Sequence, residues 1–506
     1  MSGPESTIEE VTPMSDTASG PETAPDPARW RVLWVLLAAI FMSLVGVSIV
    51  NVALPTIESG LGADESDVQW VLSGYALTFG VFLVAAGRAG DIMGRGGFFI
   101  LGVVIFTASS VAAGFAPDAA SLNGSRFIQG VGSGLISPQG VGMIQQYFRG
   151  RERGRAFGYF GSAVGVAVGI GPVLGGFLIR IGGTDWGWRL TFLVNLPIGV
   201  ICVVLALLWF PRPLFSRIRD PRTGTPVGLR ETLRRLDPVG AVLLGVAVLA
   251  ILLPFVESGA HPVIWASLPL GAGLVYLWVL WERRYRRTGG SPMVDLGIFR
   301  TRSFTNGTII VGLYFLGMTS VWVLVALYLQ DGAGHSALAA GSVGIPSAVM
   351  ASLASTWAGR RVSDYGRKVV IGGLVCGLFG LLTSIGVVVL HESGHASEWW
   401  LVLTLAFVGT AQGSVISPNQ TLTLAEVPLE YAGSSGAVMQ TGQRIGTSVG
   451  IAVITAIVFG LLGVTSWGVA IPIGFAAIAA VLALALLVAV KDQRDRTRSG
   501  PEIMVA

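Results

Sequence analysis

Gly87-Arg88-Ala89-Gly90-Asp91-Ile92-Met93-Gly94-Arg95 is a short polar turn between two apolar runs, each long enough to cross a bilayer. Its outline returns at Gly359-Arg360-Arg361-Val362-Ser363-Asp364-Tyr365-Gly366-Arg367. Farther along each copy, Gly134-Leu135-Ile136-Ser137-Pro138-Gln139 is echoed by Ser414-Val415-Ile416-Ser417-Pro418-Asn419. Two motifs repeated in the same order imply a duplicated membrane protein whose halves move against each other. Composition agrees: 52% of residues are apolar and 12% charged, where a soluble domain carries about 25% charge. The apolar residues come in runs of about 20 without strand-like alternation, and in lipid such runs satisfy their backbone as helices.

Fourteen runs can be placed, the first near 31–53 and the last near 467–490. They predict an all-α integral membrane protein of two six-helix bundles plus two inserted helices. The division reads as a disordered acidic tail at 1–28, an N-terminal bundle at 29–210, and basic linkers with the inserted helices at 211–303. A C-terminal bundle at 304–490 and a tail at 491–506 complete it. The tail at 1–28 has no Lys or Arg and so lacks the positive start of a signal peptide. Of the 33 Lys and Arg, all but four fall in loops on the side of the termini. Arg180 and Arg189 lie opposite, and Arg126 and Arg444 lie inside spans. The positive-inside rule then makes both termini cytoplasmic. The same distribution accounts for the net charge of +4 without nucleic acid. Cys202 and Cys376 fall in separate apolar runs and behave as small hydrophobes.

Charged and polar residues inside spans mark pathways, because each costs several kcal/mol unless paired or hydrated. Arg126 is followed by Gln129, Ser133 and Ser137 on one helix face. It is either a coupling or gating group or an arginine snorkelling to the interface. Gln440, Gln443, Arg444 and Thr447 form a second polar stripe, suited to an aqueous cavity or to a hydrogen-bonded core. Ser48, Asn51, Gln129, Gln139, Asn306, Tyr314, Gln412 and Asn419 are weaker cavity candidates, for which helix–helix hydrogen bonding is the alternative. Asp91 and Arg95 can latch two helices at the turn. Gly165, Gly169 and Gly171 lie in a series that smooths one helix face, and Pro172 can bend it.

Several of these stretches resemble the major facilitator superfamily. The turn Gly87-x-x-x-Asp91-x-x-Gly94-Arg95 is similar to its signature between spans two and three. Arg126-x-x-Gln129-Gly130-x-Gly132 is similar to its span-four motif, and the series from Gly161 to Gly176 to the span-five motif of its exporters. Trp188-Arg189-x-x-Phe192-x-x-Asn195-x-Pro197-x-Gly199 and Asn51-Val52-Ala53-Leu54-Pro55 resemble its fourteen-span drug:proton antiporters. The resemblance implies a plasma-membrane secondary transporter exporting drugs or amphiphilic metabolites by proton antiport and rocking alternating access. Its partners would be a small amphiphilic substrate, protons and the lipid bilayer. It would act as a monomer, without nucleic acid, metal or cofactor. One departure bears on mechanism: the family's usual span-one aspartate is Gly46 here. Without that acid, a lipid or metabolite carrier using another gradient is the alternative. A transporter-like sensor is a remoter one. No phosphate-binding loop or Cys/His cluster suggests an enzyme.

Overall fold

The computed structural model describes residues 27–216, 227–256 and 262–498. Most of the expected tail at 1–28 and the last residues of the chain lie outside that range. Fourteen long helices stand where the fourteen runs lie. In the first half they are α1 Arg29–Leu61, α2 Glu65–Met93, α3 Arg95–Gly114, α4 Ala119–Tyr147, α5 Gly150–Gly183 and α6 Asp185–Trp209. The inserted pair is α7 Pro238–Val256 and α8 Ser267–Arg287. The second half holds α9 Arg302–Leu327, α10 Gly344–Tyr365, α11 Arg367–Glu392, α12 Leu401–Thr423, α13 Ala432–Leu462 and α14 Trp467–Arg498.

Among the described residues, twelve stretches are long and apolar enough to cross a membrane. The helices outside that set are α4 and α10, as long as the others but diluted by glycine, serine and glutamine. Their small residues serve close packing. A Cβ on Gly132 would stand 2.7 Å from the Phe106 backbone nitrogen, and one on Gly102 2.9 Å from Gly132 O, so α3 and α4 approach almost backbone to backbone. Between α5 and α6 the chain breaks at Gly183, whose φ of 65° and ψ of −158° suit only glycine. The start of α4 is capped by Asp118, whose Oδ1 accepts from Ser121 N–H at 2.7 Å; those bonds hold its carboxyl below the usual range.

Two helix pairs make the closest joins between the halves. On one side α5 runs along α10, with Gly154 and Gly158 against Gly359 and Ser355. On the other, Gly87 of α2 meets Gly433 of α13, whose carbonyl lies 2.7 Å from a Cβ placed on Gly87. The inserted hairpin leans on this second pair: Val248 and Leu252 of α7 pack with Leu77 of α2, and Ile445 of α13 rests against that cluster. One boundary differs from expectation. The last helix continues to Arg498 rather than stopping near 490, because Asp492 is fully buried among arginines instead of trailing into water.

Candidate functional site

A cavity of about 280 Å³ opens between the halves, lined by α1, α2, α4, α5, α9, α12 and α13. Its walls are aromatic, with Tyr75, Phe79, Phe160, Tyr314, Phe315 and Trp322. Glutamines 412, 420, 440 and 443 supply polar groups, and Arg444 is the charged residue of the lining. The Arg444 guanidinium sits 4.3 Å above the Phe79 ring, a cation–π contact between the halves. Ser137 Oγ and Gln440 Oε1 are 2.6 Å apart, also across the halves.

The expected cavity residues divide. Tyr314, Gln412, Gln440, Gln443 and Arg444 line the space. The others stand elsewhere, each for a physical reason. Ser48 donates to Val168 O at 3.0 Å, the carbonyl left free because Pro172 has no N–H. Asn51 is exposed on α1, outside the lining. Gln129 accepts from Arg126. Gln139 donates to Ala86 O at 2.7 Å, bracing the last turn of α2 beneath Gly90. Asn306 donates to Asp492 at 2.6 Å, and Asn419 donates to Gly307 O at 2.8 Å. The aromatic lining escapes sequence reasoning, because Tyr75 and Phe79 give no contrast within an apolar helix.

Arg126 does not snorkel. It is 0% exposed, its Nε donates to Val71 O at 2.7 Å and its Nη1 to Gln129 Oε1 at 2.5 Å. The guanidinium lies 4.4 Å from the Tyr75 ring. Gln129 passes the chain to Ser110, and Asn195 reaches the same hydroxyl at 3.4 Å. No carboxylate belongs to this network among the described residues. On its far side the Tyr75 hydroxyl meets Ser133 at 2.6 Å and Ser43 at 3.2 Å, so Tyr75 touches the buried cation with its ring and the serine cluster beside the cavity with its hydroxyl.

At the face carrying the ends of α1 and α14, the first turn is a closed clasp. Asp91 Oδ1 accepts from Arg95 Nη2 at 2.7 Å and from the N–H of Gly433 at 2.8 Å; Oδ2 accepts from the N–H of Ser434 at 2.8 Å. Those amides begin α13, so the carboxylate sits at a helix N-terminus belonging to the other half. Arg95 continues to Leu429 O at 2.6 Å and Gln146 Oε1 at 2.8 Å. The second turn also crosses the halves: Asp364 accepts from Arg151 at 2.8 Å, but in water, with side chains 40% and 75% exposed. It therefore joins the halves as well, though more weakly. The counterpart of Arg95, Arg367, turns inward to Asp492 at 2.8 Å and to Asn419.

Along α5, Gly165 and Gly169 face Ala348 of α10, and Gly171 lies against Ser48 of α1. A family model described as Major Facilitator Superfamily matches residues 36–451. The chain belongs to the major facilitator superfamily. Among its relatives in this superfamily is a probable actinorhodin transporter of Streptomyces coelicolor, 35% identical over 88% of this chain and 75% of its own length. A multidrug resistance protein, Stp, of Mycobacterium tuberculosis is 29% identical over 84% of this chain and 75% of its own. The puromycin resistance protein pur8 of Streptomyces alboniger is 29% identical over 86% and 82%. Among solved structures, the proton:xylose symporter XylE aligns with a TM-score of 0.62 at 16% identity, over 92% of this chain and 96% of that one, which speaks to fold alone. Family and relatives point to a multi-pass transporter rather than an enzyme.

Proposed function

We propose that this superfamily member exports aromatic amphiphiles, neutral or anionic, across the plasma membrane by proton antiport, with both termini in the cytoplasm. The observation that carries this reading is the cavity: six aromatic rings with one half-buried arginine and no carboxylate in the lining. Aromatic walls take flat apolar bodies, and Arg444 favours a negative group over a positive one. In this reading the groups 29–210 and 304–490 rock about the cavity. The clasped Asp91 turn then marks the state closed toward the cytoplasm, with the α5–α10 glycine seam as the gate. Asp91, Arg95 and Arg126 serve gating and coupling, and the chain works as a monomer.

The test is reconstitution into liposomes with carboxylated and quaternary-ammonium versions of one aromatic dye, while lumenal pH is followed. Faster flux of the carboxylated dye, with opposite proton movement, is the expected result. Preference for the ammonium dye would overturn the charge assignment. Gly46 in place of an acid favours a second reading, a carrier uncoupled from protons. Dye flux indifferent to a pH gradient would decide for it.

A further inference from the structure

The central cavity contains no acid, yet two acids are buried at the foot of the inserted hairpin. Glu282 of α8 is 1% exposed, and neither carboxyl oxygen makes a hydrogen bond of ordinary geometry, although the Met293 and Val294 amides and the Trp278 indole stand near it. Asp237, also 1% exposed, precedes Pro238 with φ of 47°, a left-handed backbone rarely held by residues other than glycine. Its Oδ1 accepts from Gly240 N–H at 3.0 Å and Trp281 Nε1 at 2.9 Å, and its Oδ2 is unpaired. A Cβ on Gly240 would stand 2.3 Å from that Oδ2 and 3.2 Å from Glu282 Oε1, so the two unpaired oxygens are at most 5.5 Å apart, the sum of those distances. Two carboxylates cannot both be charged in such a place without a cation between them. Asp237, at the start of α7, has the helix N-terminus to favour its charge.

We propose that Glu282 and Asp237 form a proton-binding pair whose occupancy is coupled through Arg88 to the Asp91 clasp. The pair rests on the antiport reading and makes opening of the terminal face depend on a proton. Arg88 of α2 is 4% exposed and donates to Ser291 in the linker that follows α8. It lies 5.6 Å from the Tyr431 ring, next to the clasp in the other half. Its charge is felt by Asp91, Glu282 and Glu430 together. Around Glu282 stand Asp237 from α7, Trp278 from its own helix, and the amides of Met293 and Val294 from the linker. Outside, Arg283, Arg286, Arg287 and Arg300 rim a pocket of about 580 Å³ that ends on Glu282 and leads to the terminal face. Asp295 beyond it pairs with Arg286.

With the clasp closed, Glu430 and Asp91 balance Arg88, and Glu282 holds its proton toward Asp237. When the halves part, Tyr431 and Glu430 withdraw with α13. Arg88 is then undercompensated and favours Glu282 as a carboxylate. The carboxyl O–H bond breaks, the proton leaves through the arginine-rimmed pocket to water, and the bonding pair stays on Glu282 opposite Arg88. Reclosure reverses the step.

Infrared difference spectra of the full chain in nanodiscs, recorded against pH, read this directly. At neutral pH the wild type should show a protonated carboxyl band that Glu282→Gln abolishes. Asp237→Asn should move the midpoint of that band to lower pH, because a neighbouring negative charge is removed; this second variant decides the matter should the first misfold. A band unchanged by Glu282→Gln, or a midpoint unmoved by Asp237→Asn, overturns the pair. In liposomes, Glu282→Gln should lower pH-driven flux of the carboxylated dye at least tenfold. A wild type that moves dye without protons overturns the antiport reading and the coupling role with it. An antiporting wild type whose Glu282→Gln variant keeps the wild-type flux overturns the pair alone.

Discussion

At position 46 a Cβ would stand 3.2 Å from Phe106 Cζ and 3.5 Å from Asn195 Nδ2. From Asn195 the hydrogen bonds run through Ser110 and Gln129 to Arg126. Gly46→Asp would therefore add a carboxylate to a network that holds a buried cation and no acid. Phe106 has to give by a few tenths of an ångström. The variant is expected to fold and to show dye flux more steeply dependent on pH than the parent. Superimposable pH profiles would show that this network does not sense a proton. Arg126→Lys is expected to slow dye flux about 10- to 100-fold while the protein still folds, because lysine lacks the planar fork that aims Nε at Val71 O and Nη1 at Gln129, and each bond to the charged group is worth roughly 1.5–3 kcal/mol. Flux within about twofold of wild type would reduce Arg126 to packing. Arg126 and Gln129 were readable in the sequence, since a cation in a span is conspicuous and the two lie three residues apart on one face. Asp237 and Glu282 were not: each lies at a span end, where a charge ordinarily meets water, and only tertiary packing buries them.

On α5 the kink and its repair belong to different helices. Pro172 frees the carbonyl of Val168, and Ser48 of α1 takes it up at 3.0 Å. Ser48→Ala should lower stability by about 1–3 kcal/mol through an unsatisfied carbonyl. Pro172→Ala restores the N–H that can close the helical bond, so Ser48→Ala in that background should cost much less. A double-mutant cycle on thermal melting in detergent checks this, and additive losses would refute the pairing. Lower on the same helix, Gly158 faces the Ser355 carbonyl, 3.0 Å from where a Cβ would be. Gly158→Leu should hold α5 away from α10 and lengthen the distance between spin labels at Arg155 and Arg361. An unchanged distance would mean that the seam is static packing. The positions of these helices were legible from apolar run length, and the tight α5 face from its glycine spacing. What α5 packs against was not, because periodicity within one helix names no partner. The end of α14 was misjudged for a related reason. Lys491 and Asp492 look like a tail leaving the membrane until Arg302, Arg367 and Arg496 are brought around the carboxylate by the fold.

Across the whole molecule, the duplicated turn makes two crossings between the halves, and burial sets their strengths apart. The Asp91 side chain is 0% exposed and binds two N–H groups of α13 as well as Arg95, whereas Asp364 meets only the exposed Arg151 in the contacts described. When the halves separate, the Asp91–Arg95 pair can persist within its own loop, so the part specific to the closed state is the pair of amide bonds and the Arg95–Leu429 contact. The two amide bonds to the Asp91 carboxylate, at the low end of roughly 1.5–3 kcal/mol each, amount together to about 3 kcal/mol. An exposed ion pair is worth 0–1 kcal/mol, with the lower end the common case. Asp91→Asn should thus shift the balance toward the state open at the terminal face by roughly a hundredfold, and Asp364→Asn by less than about fivefold. Distance distributions between labels at Arg155 and Arg361 report both populations directly. Salt separates them further: raising ionic strength should mimic Asp364→Asn but leave the buried clasp nearly untouched, because screening acts on exposed charges. Equal shifts from the two variants would mean that the halves are held by the α5–α10 and α2–α13 seams, with the clasp riding on them rather than setting the population.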